Sequence, residues 1–149
     1  MVELDEINRT ILEELQNDAR ISLKKIAKRA GVSEAAIFLR VRKLQEEGII
    51  KGFTTIVSPE KVGKSLTAFV LIRGEPQKLP AILTALSKIE GICELHDVTG
   101  NYYAIAKIRT ASREELTKIL DAIGSIQGII STDTAIVLKS VKEDTRITL

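Results

Sequence analysis

Apolar residues recur at helical spacing along the first part of the chain, then give way to short apolar runs separated by periodic stretches. Leu4, Ile7, Ile11 and Leu15 share one face of a helix, with Glu3, Asp5 and Glu6 at its start, where the macrodipole favours acids. Asn17-Asp18 breaks that pattern. Ser22 is the expected N-cap of a short second helix in which Leu23, Ile26, Ala27 and Ala30 face inward and which Gly31 ends. Ser33 caps a third helix reaching about Glu47, with Ile37, Val41 and Leu44 on its core side and Gly48 closing it. A short helix, a tight Gly-containing turn and a longer helix are what a helix-turn-helix needs, because the second helix must brace the third across the DNA backbone. Residues 49–57 are rich in β-branched and aromatic side chains and read as a strand that Ser58-Pro59 stops.

The rest of the chain repeats itself. Ile72-Arg73, a helical stretch and Ile89-Glu90-Gly91-Ile92 are matched by Ile108-Arg109, another helical stretch and Ile126-Gln127-Gly128-Ile129. Each unit reads as strand, helix, strand. The first strand covers about residues 66–74, and the first helix holds Leu79, Ile82, Leu83, Leu86 and Ile89. The middle strands flank Gly100-Asn101, a two-residue hairpin signal. Ser112-Arg113-Glu114-Glu115 is a capping box opening the second helix, in which Leu116, Ile119, Leu120 and Ile123 face inward. The last strand covers about residues 131–141. Two such halves make a ferredoxin-like βαββαβ sheet with both helices on one face. The other face carries apolar residues too and needs a cover, most simply a second subunit. The fold class is therefore α+β, with a helix-turn-helix domain and its linking strand over residues 1–63 and a βαββαβ domain over residues 64–149.

Charge sharpens this division. Residues 20–51 carry nine basic side chains (Arg20, Lys24, Lys25, Lys28, Arg29, Arg40, Arg42, Lys43, Lys51) against three acidic ones, whereas residues 65–149 balance to zero. A basic segment beside a neutral one is the electrostatic footprint of a DNA-binding module joined to something else. No apolar run approaches the ~20 residues of a membrane helix. The N-terminus is acidic, not signal-like, and the single cysteine, Cys93, fits a reducing cytoplasm and reads as a small core residue.

With Ile37, Val41 and Leu44 turned inward, Ala35, Leu39, Arg42 and Glu46 lie opposite. The candidate DNA contacts on the third helix are Ser33, Glu34, Ala35, Ala36, Phe38, Leu39, Arg42 and Lys43. Phe38 either flanks this face or wraps round to the core. Lys24, Lys25 and Lys28 on the second helix suit phosphates, which position without specifying sequence.

These residues resemble the Lrp/AsnC (leucine-responsive, or feast/famine) family of prokaryotic transcription regulators. The resemblance spans the chain and is carried by Leu4-Asp5-x-x-Asn8-x-x-Ile11-Leu12, Ile26-Ala27, Gly31-Val32-Ser33, Arg40-Val41-x-x-Leu44-x-x-x-Gly48-Ile49-Ile50 and Thr99-Gly100. It implies a winged-type helix-turn-helix, a linking strand that pairs between subunits, a RAM/ACT-like sensing domain, and dimers that join into octamers. It also implies an amino-acid effector at contacts between dimers, near Gly100, Asn101, Tyr102 and Tyr103 and the last-strand residues Ser131, Thr132, Asp133 and Thr134. Family members often place acids in that turn, a Gly-Asp-Tyr-Asp-like sequence. Here Asn101 and Tyr103 stand instead, so either Asp97 or Asp133 pairs with a ligand's ammonium group, or the protein binds something else or nothing.

An enzyme is disfavoured. The single histidine, His96, and its neighbour Asp97 alternate across a strand, and one His with one Cys makes no usual metal site. No glycine-rich phosphate loop is present. The remaining alternative is an amino-acid-sensing module acting on a protein partner, which the basic helix-turn-helix argues against.

Overall fold

The computed structural model describes residues 4–149; Met1, Val2 and Glu3, and with them the acid expected at Glu3, lie outside the described residues. The chain divides into two compact units, one running to Ile56 and taking up Lys142–Leu149, the other Val57–Val141. The join thus comes earlier than the 63/64 boundary read from sequence, and the last residues belong with the first unit.

In the first unit, which we call the head, α1 (Glu6–Asn17), α2 (Leu23–Ala30) and α3 (Glu34–Glu46) close around Ile11, Leu12, Ile26, Ala27, Ile37 and Leu44. Asp5 caps α1, accepting the Asn8 N–H at 2.7 Å, and Ser33 caps α3, accepting from Ala36 N–H at 3.2 Å. Ser22 occupies the N-cap of α2, but its hydroxyl makes no capping bond. Residues 51–58 form no strand, against the expectation for residues 49–57 and for a wing. A strand exists only where a second backbone completes its hydrogen bonds, and among the described residues no strand pairing includes this segment.

The second unit is a four-stranded antiparallel sheet in the order β2-β3-β1-β4, built from β1 (Leu66–Gly74), β2 (Ile92–Asp97), β3 (Ala104–Thr110) and β4 (Ile129–Ile136). Helices α4 (Leu79–Leu86) and α5 (Arg113–Gly124) cover one face. Ala68, Val70 and Ile72 of β1 and Ala104, Ala106 and Ile108 of β3 are buried against Ile82, Leu86, Leu116, Ile119 and Ile123. Strand alternation then puts Phe69, Leu71 and Ile105 on the other face, where they are half-buried. The two repeat glycines carry out the same step. Gly91 (φ 94°) and Gly128 (φ 100°) each sit where a helix hands over to a strand, and a Cβ there would meet Ile119 Cδ1 at 2.6 Å or Lys78 Cδ at 2.8 Å. Ser112 caps α5 as expected, accepting from Glu115 N–H at 3.2 Å, while Glu115 reaches back one residue further than a capping box does, to Ala111 N–H at 2.6 Å.

Three sequence expectations shift here. Ile89 packs on the core from beyond the end of α4. Gly100-Asn101 lies at the tip of a longer loop between Asp97 and Ala104, closed by Val98 N–H donating to Tyr103 O at 3.0 Å. The last strand stops at Ile136 instead of reaching Val141, because β1 begins at Leu66 and offers no backbone beyond Val137 N–H on Thr67 O.

The chain's end is fastened to the head. Gln16 holds the main chain of Ile147 with both ends of its amide: Nε2–H donates to Ile147 O at 3.0 Å, and Oε1 accepts the Ile147 N–H at 2.6 Å. Arg146 donates to Asn17 Oδ1 at 2.8 Å and pairs with Asp144 at 2.9 Å, holding that carboxyl down to about 2. Leu149 packs on the head's core. Ending the chain at Val141 removes these bonds and the packing of Leu149, the latter alone worth about 1–2 kcal/mol. The head's melting midpoint, followed by circular dichroism, should fall by about 5–10 °C. An unchanged midpoint would show the tail to be a passenger.

Candidate nucleic-acid interface

The turn between α2 and α3 is three residues, Gly31-Val32-Ser33. Gly31 takes the left-handed conformation (φ 69°) that lets its N–H and that of Val32 turn back to Ala27 O. Ile37 and Leu44 are fully buried, which sets the rotation of α3 about its axis. Exposed along it are Glu34, Ala35, Phe38, Leu39, Arg42 and Lys43, with Ser33 exposed before it and Ala36 half-buried. Phe38 faces outward at 51% exposure and Leu39 at 64%, which settles the choice left open for Phe38. On α2, Lys24, Lys25 and Lys28 are exposed.

Arg40 is removed from this surface. Its guanidinium donates to Asp5 Oδ2 at 2.7 Å and to Asn8 Oδ1 at 3.0 Å, tying the middle of α3 to the start of α1. Asn8 is 4% exposed, so the bond satisfies a buried amide. The Asn8 N–H and the Arg40 guanidinium hold the Asp5 carboxyl below its ordinary value of 3.8. Arg29 pairs with Glu14, and Arg42 lies 3.6 Å from Glu46.

In the second unit the loop between β2 and β3 meets β4 across β1. Tyr102 Oη–H donates to Asp133 Oδ2 at 2.7 Å, and the Arg73 guanidinium lies 4.9 Å from the centre of the Tyr102 ring. Ser131 is the cross-strand partner of Arg73. Gly100 and Asn101 are exposed at the loop tip, and Tyr103 N–H donates to Ile72 O at 2.9 Å. Thr132 and Thr134 sit opposite Ile72 and Val70, on the helix-covered side, so alternation separates them from Ser131 and Asp133. Arg73 was not singled out from sequence, since only the β1–β4 register brings it here. Cys93 is exposed instead of buried: β2 is an edge strand, a register shift falls between Ile92 and Glu94, and the thiol donates to Lys107 O at 3.2 Å. Among the described residues no cluster of His, Cys, Asp and Glu is arranged to hold a metal, and no helix is long and apolar enough to cross a membrane.

Comparison with known proteins also finds two domains, although the second family model runs on into the tail that is fastened to the head. A model of the AsnC-type helix-turn-helix domain matches residues 4–45, and one of the Lrp/AsnC ligand-binding domain matches residues 67–147. The chain belongs to the Lrp/AsnC family of transcription regulators. It is 44% identical to the HTH-type transcriptional regulator FL11 of Pyrococcus horikoshii, over 98% of this chain and 97% of that one. Its fold is similar to that of E. coli AsnC (TM-score 0.91, 32% identity, 97% and 99% of the two chains). It is equally similar in sequence to the feast or famine regulatory protein of M. tuberculosis, solved with L-methionine (TM-score 0.87, 32% identity, 97% and 99% coverage). As in those regulators, a DNA-binding head is joined to a ligand-binding domain, and the reading of the chain as a DNA-binding regulator holds over that of a module acting only on a protein partner.

For this Lrp/AsnC head the Asp5–Arg40 pair makes a pH-dependent prediction. Because the folded-state Asp5 is held below 3.8, its stabilisation is present above that value and lost as pH falls through the depressed one. Asp5→Asn keeps a capping acceptor and loses the charge. The variant should melt below the wild type at about pH 7, and the gap should narrow as pH falls below 3.8. A gap that keeps the same size would show that the charge is not what Asp5 contributes.

Proposed function

We propose that the protein binds a roughly palindromic DNA site as a dimer, two α3 helices entering successive major grooves about one helical turn apart. Arg42 and the apolar residues Ala35, Phe38 and Leu39 meet base edges. Lys24, Lys25, Lys28 and Lys43 hold phosphates, with Ser33, Glu34 and Ala36 close to the backbone at the start of α3. What carries this reading is the outward face of α3 beside an exposed row of lysines on α2, in a head of the AsnC type. Arg42→Ala should cost about 1–3 kcal/mol and relax the preference at one base position, whereas Lys25→Ala should weaken all sequences alike and flatten the salt dependence. Fluorescence anisotropy on the DNA upstream of the protein's own gene and on scrambled DNA separates the two. Identical behaviour of both variants would refute the assignment.

Two features support assembly. The sheet face bearing Phe69, Leu71 and Ile105 needs an apolar cover. Phe53, Ile56 and Val57 are 50%, 84% and 53% exposed in a segment whose backbone has no strand partner, as a strand completed by a second subunit would be. Dimers joining into octamers place the loop around Gly100, Asn101, Tyr102 and Tyr103 at a contact between subunits. There an amino acid is held, its ammonium by Asp133 and its carboxylate by Arg73, with Ser131 alongside; Thr132 and Thr134 act from the far side of the strand. The relative solved with L-methionine supports this class of effector. Sedimentation at micromolar concentration should return a dimer or larger, and an effector should shift assembly or DNA affinity. A monomer would overturn the assembly, and no response to any of the standard amino acids would overturn the effector.

A further inference from the structure

With α3 taken as the helix that enters the major groove, we infer that its apolar face reads the C5 methyl groups of thymine, so that recognition depends on thymines at fixed positions in each half-site. Between Glu34 and Arg42, the exposed side chains of α3 are Ala35, Phe38 and Leu39. The one hydrogen-bonding side chain in that stretch, Arg40, is committed to Asp5 and Asn8. The middle of the helix therefore presents no fork or amide to a guanine or an adenine. In the major groove the base edges offer one apolar group, the thymine methyl, and that group distinguishes T·A from every other pair. Phe38 and Leu39 stand 51% and 64% exposed on consecutive positions, two large apolar side chains wetted in the free protein. Ala35 lies one turn before Leu39 and leaves room for a methyl to approach both. The charge of the two helices chooses the occupant: Lys24, Lys25 and Lys28 on α2 and Lys43 on α3 are exposed and outnumber the exposed Glu34 next to Ala35, a balance that suits a polyanion better than an apolar protein surface.

The test starts from the intact protein and a randomised duplex library, which returns its preferred site. Each thymine of that site is then replaced by deoxyuridine, which deletes the methyl and leaves base pairing unchanged. One or two positions per half-site should lose about threefold to fivefold in affinity, the contribution of one buried methyl group, while the other thymines change nothing. Leu39→Ala, at a position exposed enough to fold normally, should abolish the penalty at one of those positions. Phe38→Ala should do so at another, and Lys25→Ala should weaken binding while keeping every penalty. A selected site at which no deoxyuridine matters overturns the inference and leaves the regulator intact. So does a penalty that persists unchanged in both apolar variants. A library that returns no common sequence overturns the base-reading role of α3 itself.

Discussion

The rotation of α3 about its own axis governs what this head can do. Ile37 and Leu44 are seven residues apart, two helical turns, and both are completely buried against α1 and α2. They act as two pins on one side of the helix, and every outward residue follows from them. Losing either side chain would cost about 2–5 kcal/mol, a large part of what a small domain has. Apolar pins resist separation better than they resist a small roll, because dispersion is not directional. Arg40 supplies the direction: it points to the start of α1 and ends on Asp5 and Asn8 at hydrogen-bonding distances. A helix that must bring side chains to base edges within fractions of an ångström needs both.

The central strand β1 plays the corresponding part in the sheet. It pairs with β3 on one side and β4 on the other, so residues distant in sequence are set by its register. Arg73 at its far end thereby meets the ring of Tyr102 from the loop before β3, and the Tyr102 hydroxyl in turn reaches Asp133 of β4. The cluster combines a cation, an anion and an aromatic ring, a combination suited to a small zwitterion. With Asn101 in place of an acid, the proposed site would rest its grip on an ammonium group on Asp133, whose carboxylate already accepts from Tyr102.

Periodicity made the helices and β1 legible, because burial of one face dictates the spacing of Ile7, Ile11, Ile37, Leu44, Ile119 and Ile123 whatever the partner is. The glycines of the internal repeat were visible as a pattern, and the backbone angles explain them. What stayed hidden depends on the partner. Residues 49–57 have strand composition and no strand, since composition says that a segment suits a sheet and not that a second backbone is there. Arg40 counted as one more positive charge, although its contacts lie more than 30 residues away in sequence. Arg73 and the fastening of Ile147 by Gln16 were invisible for the same reason. Thr132 and Thr134 are candidates by position in the family resemblance alone, and position in a sequence does not say that a strand turns them to the face opposite Ser131 and Asp133.

Arginines and lysines of the basic segment are used differently. Arg29 and Arg40 each reach a carboxylate on another element, Glu14 of α1 and its cap Asp5, while Lys24, Lys25 and Lys28 stand exposed. A guanidinium forks onto a carboxylate in fixed geometry and so serves to hold elements in register, whereas an ammonium on a flexible stem follows a phosphate without demanding one position. The lysines would then provide an attraction that counterions weaken and that ignores sequence. The apolar residues of α3 would provide a contact that salt scarcely affects and that depends on the bases. Affinity and discrimination come from different side chains under this arrangement, so either can change with little effect on the other. Placing Phe38 and Leu39 in water costs the free protein some stability and solubility. A reading face built on them is coherent only if the groove that covers them supplies apolar groups of its own.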